Sequence, residues 1–270
     1  MPQPSPLAQP GPWNTIAAGY VADLLPIFAL YARDAIALGR LPARAHVLDV
    51  AAGPGTLSLQ VAAAAERVVA VDFAEAMVAQ LRRRAAEAGI GNVDIHQADA
   101  QSLPFAEASF DAAFSMFGLM FFPDRAAGFR ELARVLRPGR RAVVSSWAPL
   151  DQVPLMAALF DTLRACLPGL PFASGKGPLA DVEEFRLEMT DAGFHEVEIH
   201  TTAHRNAYPS IHAFWESNVR SSAPVALLKQ KLPPAEWEAL SKELVARLES
   251  EFGAGPVEIH WPARLGVGVR

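Results

Sequence analysis

Residues 47–60 read VLDVAAGPGTLSLQ. An apolar run carries Asp49 near its carboxyl end, Gly53-Pro54-Gly55 breaks it, and apolar residues at helical spacing follow from Leu57. The pattern is that of a buried strand, a tight turn and a helix. Glycine at such a turn lets backbone approach a ligand where a Cβ would obstruct. Open parallel sheets take their ligands at the carboxyl ends of the strands, so this turn lies where a site would form. Taken alone, Gly-x-Gly describes a ligand-free turn equally well.

Outward from this unit, β-rich runs at 46–51, 67–72, 92–97, 109–115 and 141–147 alternate with helical runs at 56–65, 74–88 and about 124–136. Such alternation predicts right-handed crossovers and a parallel sheet covered on both faces. Upstream, Trp13 to about Leu41 has helical spacing, interrupted near Pro26. Residues 1–12, with five prolines, predict a flexible tail. Downstream, 155–167, 181–192, 209–220 and 234–252 read as helices, and 194–203 and 257–269 as strands. Pro262 moves part of the last strand to an edge or bulge position. The expected organisation is one domain over 13–270, opened by a helical segment at 13–41. Residues 150–192 and 205–255 are expected to form a helical cap on the substrate side.

Composition removes several classes. Half the chain (51%) is hydrophobic and 20% is charged, enough for a substantial core and against disorder. The net charge of −5 argues against duplex binding, which rests on cationic neutralisation of phosphates. The lone Cys166 excludes disulfide frameworks and cysteine-built metal sites, and it suits a reducing, cytoplasmic setting. The apolar run 20–38 is interrupted by Asp23, Pro26, Arg33 and Asp34, which speaks against a bilayer span or a signal peptide. Arg82-Arg83-Arg84 reads as a solvated helix face.

Two further acids give the glycine turn its meaning. Asp72 ends the second strand, nineteen residues beyond Gly53, where a carboxylate can accept both hydroxyls of a ribose. Asp99 follows the third strand, placed to accept from an exocyclic amine while the Ala100 N–H donates to a ring nitrogen. Three acids at consecutive strand ends point to a nucleoside site. A dinucleotide fingerprint asks for a third glycine, and Ser58 stands in its place. Asp49 beside the turn would repel a pyrophosphate and attract an ammonium or sulfonium. S-Adenosylmethionine combines a ribose, an adenine and a cationic amino-acid end.

Four segments then follow in quick succession: VLDVAAGPGTLSL (47–59), VVAVDFAEAMV (68–78), ADAQSLPFAEASFDAAFSMFGLMFFPD (98–124) and ELARVLRPGRRAVVSSW (131–147). Together they resemble the class I S-adenosylmethionine-dependent methyltransferases, in particular the small-molecule branch that includes the ubiquinone/menaquinone-biosynthesis C-methyltransferases. The resemblance implies an α/β fold, a doubly wound, mostly parallel seven-stranded sheet of Rossmann-like methyltransferase type with a helical cap. It implies that Asp49, Ala51, Gly53 and Gly55 hold the methionine end. Asp72, Phe73 and Met77 would flank the ribose and adenine, and Asp99 and Ala100 would meet the adenine edge. Ser115, Met116 and Phe117 would floor the site near the methyl, with S-adenosylhomocysteine as product. The family pattern continues as Pro-Gly-Gly where this chain has Pro138-Gly139-Arg140, a departure far from the cofactor.

On the acceptor side, Trp13 and Tyr20 are expected as pocket walls. The run 114–124, including Phe121, suits an aromatic or lipid-like acceptor. His204, Tyr208 and His212 are candidates for a base or orienting group; His46 and His96 read as structural. No unambiguous catalytic residue is visible, no metal is needed, and the base-gripping N/D-P-P-Y/F tetrad is absent. The reading is therefore a small-molecule methyltransferase, monomeric or homodimeric, without nucleic-acid partner or membrane span. A nicotinamide-dependent oxidoreductase and a non-catalytic S-adenosylmethionine-binding protein remain as alternatives.

Overall fold

The apolar runs of the sequence become the strands of one sheet in the computed structural model, which describes residues 5–166 and 177–270. The strands are β1 Ala45–Val50, β2 Ala65–Asp72, β3 Val93–Gln97, β4 Phe110–Ser115, β5 Leu136–Trp147, β6 His195–Tyr208 and β7 Val257–Val269. Their order is β3-β2-β1-β4-β5-β7-β6. Side chains alternate between two covered faces. Val47, Val68, Phe114 and Val143 pack with α2 (Leu25–Gly39) and α3 (Thr56–Val61). Leu48, Val69, Ala113 and Val144 pack with α5 (Arg125–Val135) and α7 (Val182–Asp191). Burying each large apolar side chain contributes about 1.5–3 kcal/mol relative to leaving it in water. α4 (Glu75–Glu87) closes the β2–β3 side through Leu81.

The sheet is mixed. Pairings among β1 to β5 are parallel, whereas β7 runs antiparallel to both β5 and β6. The alternation over 46–147 predicts parallel strands, and β1 to β5 are parallel. The two later strands carry no predicted sense; they are the arms of a hairpin joined by a long helical excursion, which makes the mostly parallel sheet a mixed one. The β6–β7 pairing continues from Ala203↔Pro262 to Tyr208↔Val257, past the point where β5 ends with Trp147 opposite Ala263. Pro262 thus stands one rung beyond β5, where β7 has an open edge and a missing N–H costs no ladder bond.

The expected cap divides in two. α7 is a sheet-covering helix: Phe185 and Met189 fill the space beside Gly266, where an added Cβ would lie 2.8 Å from both. The remaining helices are α6 (Pro154–Cys166), α8 (Ile211–Ser221), α9 (Ala223–Lys231) and α10 (Pro234–Phe252). They form a second core with the protruding end of the β6–β7 pair, centred on Leu159, Leu163, Phe214, Trp215, Leu244 and Ile259. Part of the expected cap, at 167–176, lies outside the described residues, as do residues 1–4 of the expected tail.

Regular structure begins earlier than the proline-rich tail suggested. Pro6–Ala8 form a 3-10 turn and α1 spans Pro10–Gly19. Trp13 Nε1 donates to Leu7 O at 2.9 Å and Asn14 Oδ1 accepts from Ala76 N of α4 at 2.9 Å, while Pro10 sits at the start of α1, where its missing N–H is no loss. A π turn, Tyr20–Leu24, joins α1 to α2, whose first turn contains Pro26. The Pro10–Gly39 run is the one helical stretch among the described residues long and apolar enough to cross a bilayer. Its polar groups are nonetheless engaged within the fold: Asp23 with Arg220 at 2.9 Å and Asp34 with His204 at 2.7 Å.

Candidate functional site

The strand order reverses between β1 and β4, and at the carboxyl ends of these strands lies a cleft of two adjoining cavities. The larger, about 150 Å³, is lined by Asp72, Phe73, Met77, Asp99, Ala100 and Phe121, with Leu7, Trp13 and Gln101 among its walls. The smaller, about 30 Å³, is lined by Phe28, Asp49 and Thr56. Tyr20, Ala51, Gly53, Met116 and Phe117 line both.

Asp49 closes β1 in the interior, 1% exposed. Its Oδ2 accepts from Ser58 Oγ at 2.5 Å, one turn into α3. Burial pushes its carboxyl up to about 7, against the lowering effect of the Ser58 hydrogen bonds. Ser58 is thus more than a missing glycine: it is the donor that tethers Asp49. The buried acid is only partly ionised near neutrality, and a cationic ligand beside it would draw it into the charged form.

Asp72, at the end of β2, holds the turn. Its Oδ2 accepts from Gly53 N and its Oδ1 from Ala74 N, both at 2.8 Å. Burial raises its carboxyl to about 6, opposed by these backbone donors. Each oxygen retains acceptor capacity toward the larger cavity. Gly53 has φ 55° and open space where a Cβ would stand, so its α-carbon borders the cleft directly. Gly55 serves the fold instead. With φ 80°, it approaches α4 so closely that a Cβ would lie 2.0 Å from Leu81 Cδ1. It lines neither cavity, away from the methionine-end role that the resemblance implied.

Asp99 lines the larger cavity, its oxygens engaged by Gln101, including a 2.9 Å bond from Gln101 N. Beside it, the Ala100 N–H meets no acceptor among the described residues. Ala51 and Phe117 are non-glycine residues at φ 53° and 55° on facing strand ends. Such backbone costs about 1–2 kcal/mol per residue, and it clusters where function constrains geometry. Phe117 N donates to Ser145 Oγ at 2.8 Å, and its ring stacks on Trp147 at 3.9 Å. Ser115, expected on the floor, is fully buried and outside both cavities; its Oγ accepts from Leu119 N at 3.2 Å.

Trp13 and Phe121 meet at 5.0 Å on the rim of the larger cavity, and Tyr20 stands between the two cavities. The proposed polar trio is not assembled. His204 Nε2 lies 2.7 Å from Asp34 Oδ2, binding β6 to α2 rather than facing the cleft. Tyr208 accepts from Asn206 Nδ2 at 2.7 Å and packs on Phe214 in the second core. His212 is exposed on α8. Strand alternation and the turn into α8 separate residues that are near neighbours in sequence. Arg84 departs from the solvated-face reading, since its guanidinium reaches Pro54 O in the glycine turn. Nothing in a run of three arginines marks which one turns inward.

Residues 47–139 match the methyltransferase domain family. An uncharacterized protein of Mycobacterium tuberculosis, Rv1405c, is 36% identical over 137 residues, covering 51% of this chain and 47% of that one. A demethylmenaquinone methyltransferase of Clavibacter sepedonicus is 42% identical over 126 residues, 46% of this chain and 50% of that one. The chain thus spans about half the length of the curated relatives it matches. Among solved structures, a protein of Anaeromyxobacter dehalogenans, provisionally named a type II methyltransferase, superposes with a TM-score of 0.63 at 25% identity. That likeness covers 88% of this chain and 95% of that one.

Proposed function

We propose that the chain, whose residues 47–139 match the methyltransferase domain family, is a class I S-adenosylmethionine-dependent methyltransferase that methylates a small organic acceptor of aromatic, quinol-like or otherwise apolar character. The observation that carries the reading is the division of the three acids between two joined cavities. Asp49 borders the smaller one, and Asp72 and Asp99 the larger. An adenosyl donor with a cationic amino-acid end requires that division. The unmet Ala100 N–H and the side-chain-free face of Gly53 fit an adenine edge and a close backbone approach.

When bound, S-adenosylmethionine supplies a methyl group already activated on a sulfonium. The chain's own residues then have three tasks. Asp49, steadied by Ser58, would hold the ammonium. Asp72 would fix the ribose while keeping the glycine turn in shape, and Asp99 with Ala100 would fix the adenine. Met116, Phe117, Phe121 and Phe122 exclude water on the side open to an acceptor. Alignment of this kind supplies roughly 7–11 kcal/mol of a displacement barrier. The apolar wall favours an apolar acceptor, and the name of the Clavibacter sepedonicus relative agrees with a quinol-like one.

Calorimetry with S-adenosylmethionine and S-adenosylhomocysteine tests the cofactor. Absence of binding by both at millimolar concentration would remove the proposal. A screen of phenols, quinols and amines, read by formation of S-adenosylhomocysteine, separates turnover from binding alone. The nicotinamide alternative loses support, since Ser58 and Asp49 are hydrogen-bonded where a dinucleotide turn has a glycine.

A further inference from the structure

The glycine turn is the most permissive backbone in the site. Gly53 and Gly55 both have positive φ, 55° and 80°, and glycine reaches several other conformations at little cost. Three contacts select one of them. Gly53 N donates to Asp72 Oδ2 at 2.8 Å, Gly55 stands against Leu81, and Pro54 O accepts from Arg84 Nη1. Pro54 has no N–H, so this carbonyl is its one polar backbone group. Two of the three contacts come from α4, where Met77, Leu81 and Arg84 follow one another along a single face. Met77 lines the larger cavity, and Arg84, about 10 Å further along the helix axis, reaches the turn. The neighbouring arginines point elsewhere. Arg82 and Arg83 are exposed, whereas Arg84 is half-buried. Arg82 Nη2 lies 3.5 Å from Ile95 O, and Arg83 Nη2 donates to Gln80 Oε1 at 2.6 Å.

We propose that Arg84 is a positioning residue, which fixes the glycine turn against the amino-acid end of the methyl donor without touching the donor. The inference rests on the methyltransferase reading and deepens it. Arg84 lines neither cavity, so its effect passes through Pro54. Gly53, Ala52 and Thr56 wall the smaller cavity beside Asp49, and that wall is the turn itself. Asp72 and Asp99 stand on other segments, at the end of β2 and beyond β3, and line the larger cavity. Releasing Pro54 O therefore lets the turn leave its cradle around the amino-acid end, while ribose and adenine keep their acceptors. Arg84 acts by holding backbone; no proton passes through it.

The test is calorimetry on the full chain with two ligands. One is S-adenosylhomocysteine; the other is methylthioadenosine, which keeps the adenine and ribose and lacks the amino-acid end. Arg84→Met removes the donor and should lower the affinity for S-adenosylhomocysteine about three- to tenfold, leaving that for methylthioadenosine unchanged. Arg84→Lys keeps a cationic donor, and a single carbonyl asks for only one, so it should recover most of the loss. Arg83→Met takes the same charge from the same helix and should leave both affinities unchanged. Equal losses for both ligands, no loss for either, a lysine variant no better than the methionine one, or the same loss in Arg83→Met would each overturn the inference. A wild-type chain that binds neither ligand overturns the methyltransferase reading itself. Wild-type binding of both, with an unaltered ratio in Arg84→Met, overturns only the role of Arg84.

Discussion

Raising the pH from 5 to 8 should weaken the unliganded protein through Asp49, and Asp49→Asn should escape that loss. Burial holds this carboxyl at about 7 in the folded chain, against about 3.9 when unfolded. Between those values the folded state keeps a proton that the unfolded state has released. Stability therefore falls as pH rises through the window and levels off above about 7. Each pH unit is worth about 1.36 kcal/mol, so the two units between 5 and 7 amount to roughly 3 kcal/mol. The asparagine keeps an acceptor for Ser58 Oγ but carries no proton to lose. Urea unfolding of both proteins at pH 5, 6, 7 and 8 isolates the effect, because other titrating groups largely cancel in the difference. The wild type should lose roughly 3 kcal/mol relative to the variant across the series. A difference constant to within about 0.5 kcal/mol would show that Asp49 is already ionised at pH 5, and the argument from its burial would fail.

Three further outcomes follow from the same geometry. Ser58→Ala removes the donor at 2.5 Å from Asp49, and losing a hydrogen bond to a charged group costs about 1.5–3 kcal/mol. Affinity for S-adenosylhomocysteine should fall about ten- to 150-fold at pH 7 and recover toward about pH 9, where Asp49 ionises without help; calorimetry at the two pH values reads it. Asp72→Ala should weaken S-adenosylhomocysteine binding more than about tenfold in the same assay, since Gly53 N and Ala74 N also lose their acceptor; Asp72→Asn, with one acceptor oxygen, should lose less. Asp111→Ala acts at the opposite end of β4, where the carboxylate accepts from His46 N at 3.0 Å and pairs with Arg137 at 2.6 Å. Urea melts should show a loss of about 1–3 kcal/mol while cofactor affinity stays unchanged.

Strands β1 to β5 were legible because buried parallel strands are short apolar runs between turns. β6 and β7 were recognised as strands, but their sense and reach were not. Direction depends on where the intervening helices deliver the chain, which local pattern does not encode. α9 went unread: nine residues opened by Pro224 carry too short a periodic signal. The three acids were visible as strand-end residues, whereas their partners depend on three-dimensional closure. Ser58 reaches Asp49 only because α3 turns back over β1, and Gly55 is required by Leu81, a residue from another helix. His204 looked like an acid–base candidate because Asp34, 170 residues away, could not be paired with it from sequence.

The overhanging β6–β7 ribbon has an architectural consequence. Helices α8 to α10 leave and rejoin the chain at the two ends of rungs that are already zipped together, so the sheet carries the insertion as a bracket carries a shelf. Lengthening or exchanging those helices adds a closure entropy that grows only with the logarithm of chain length, and every register within the cofactor half stays as it was. The inserted helices can therefore diverge at the tip of the ribbon while the pairings of β1 to β5 remain fixed.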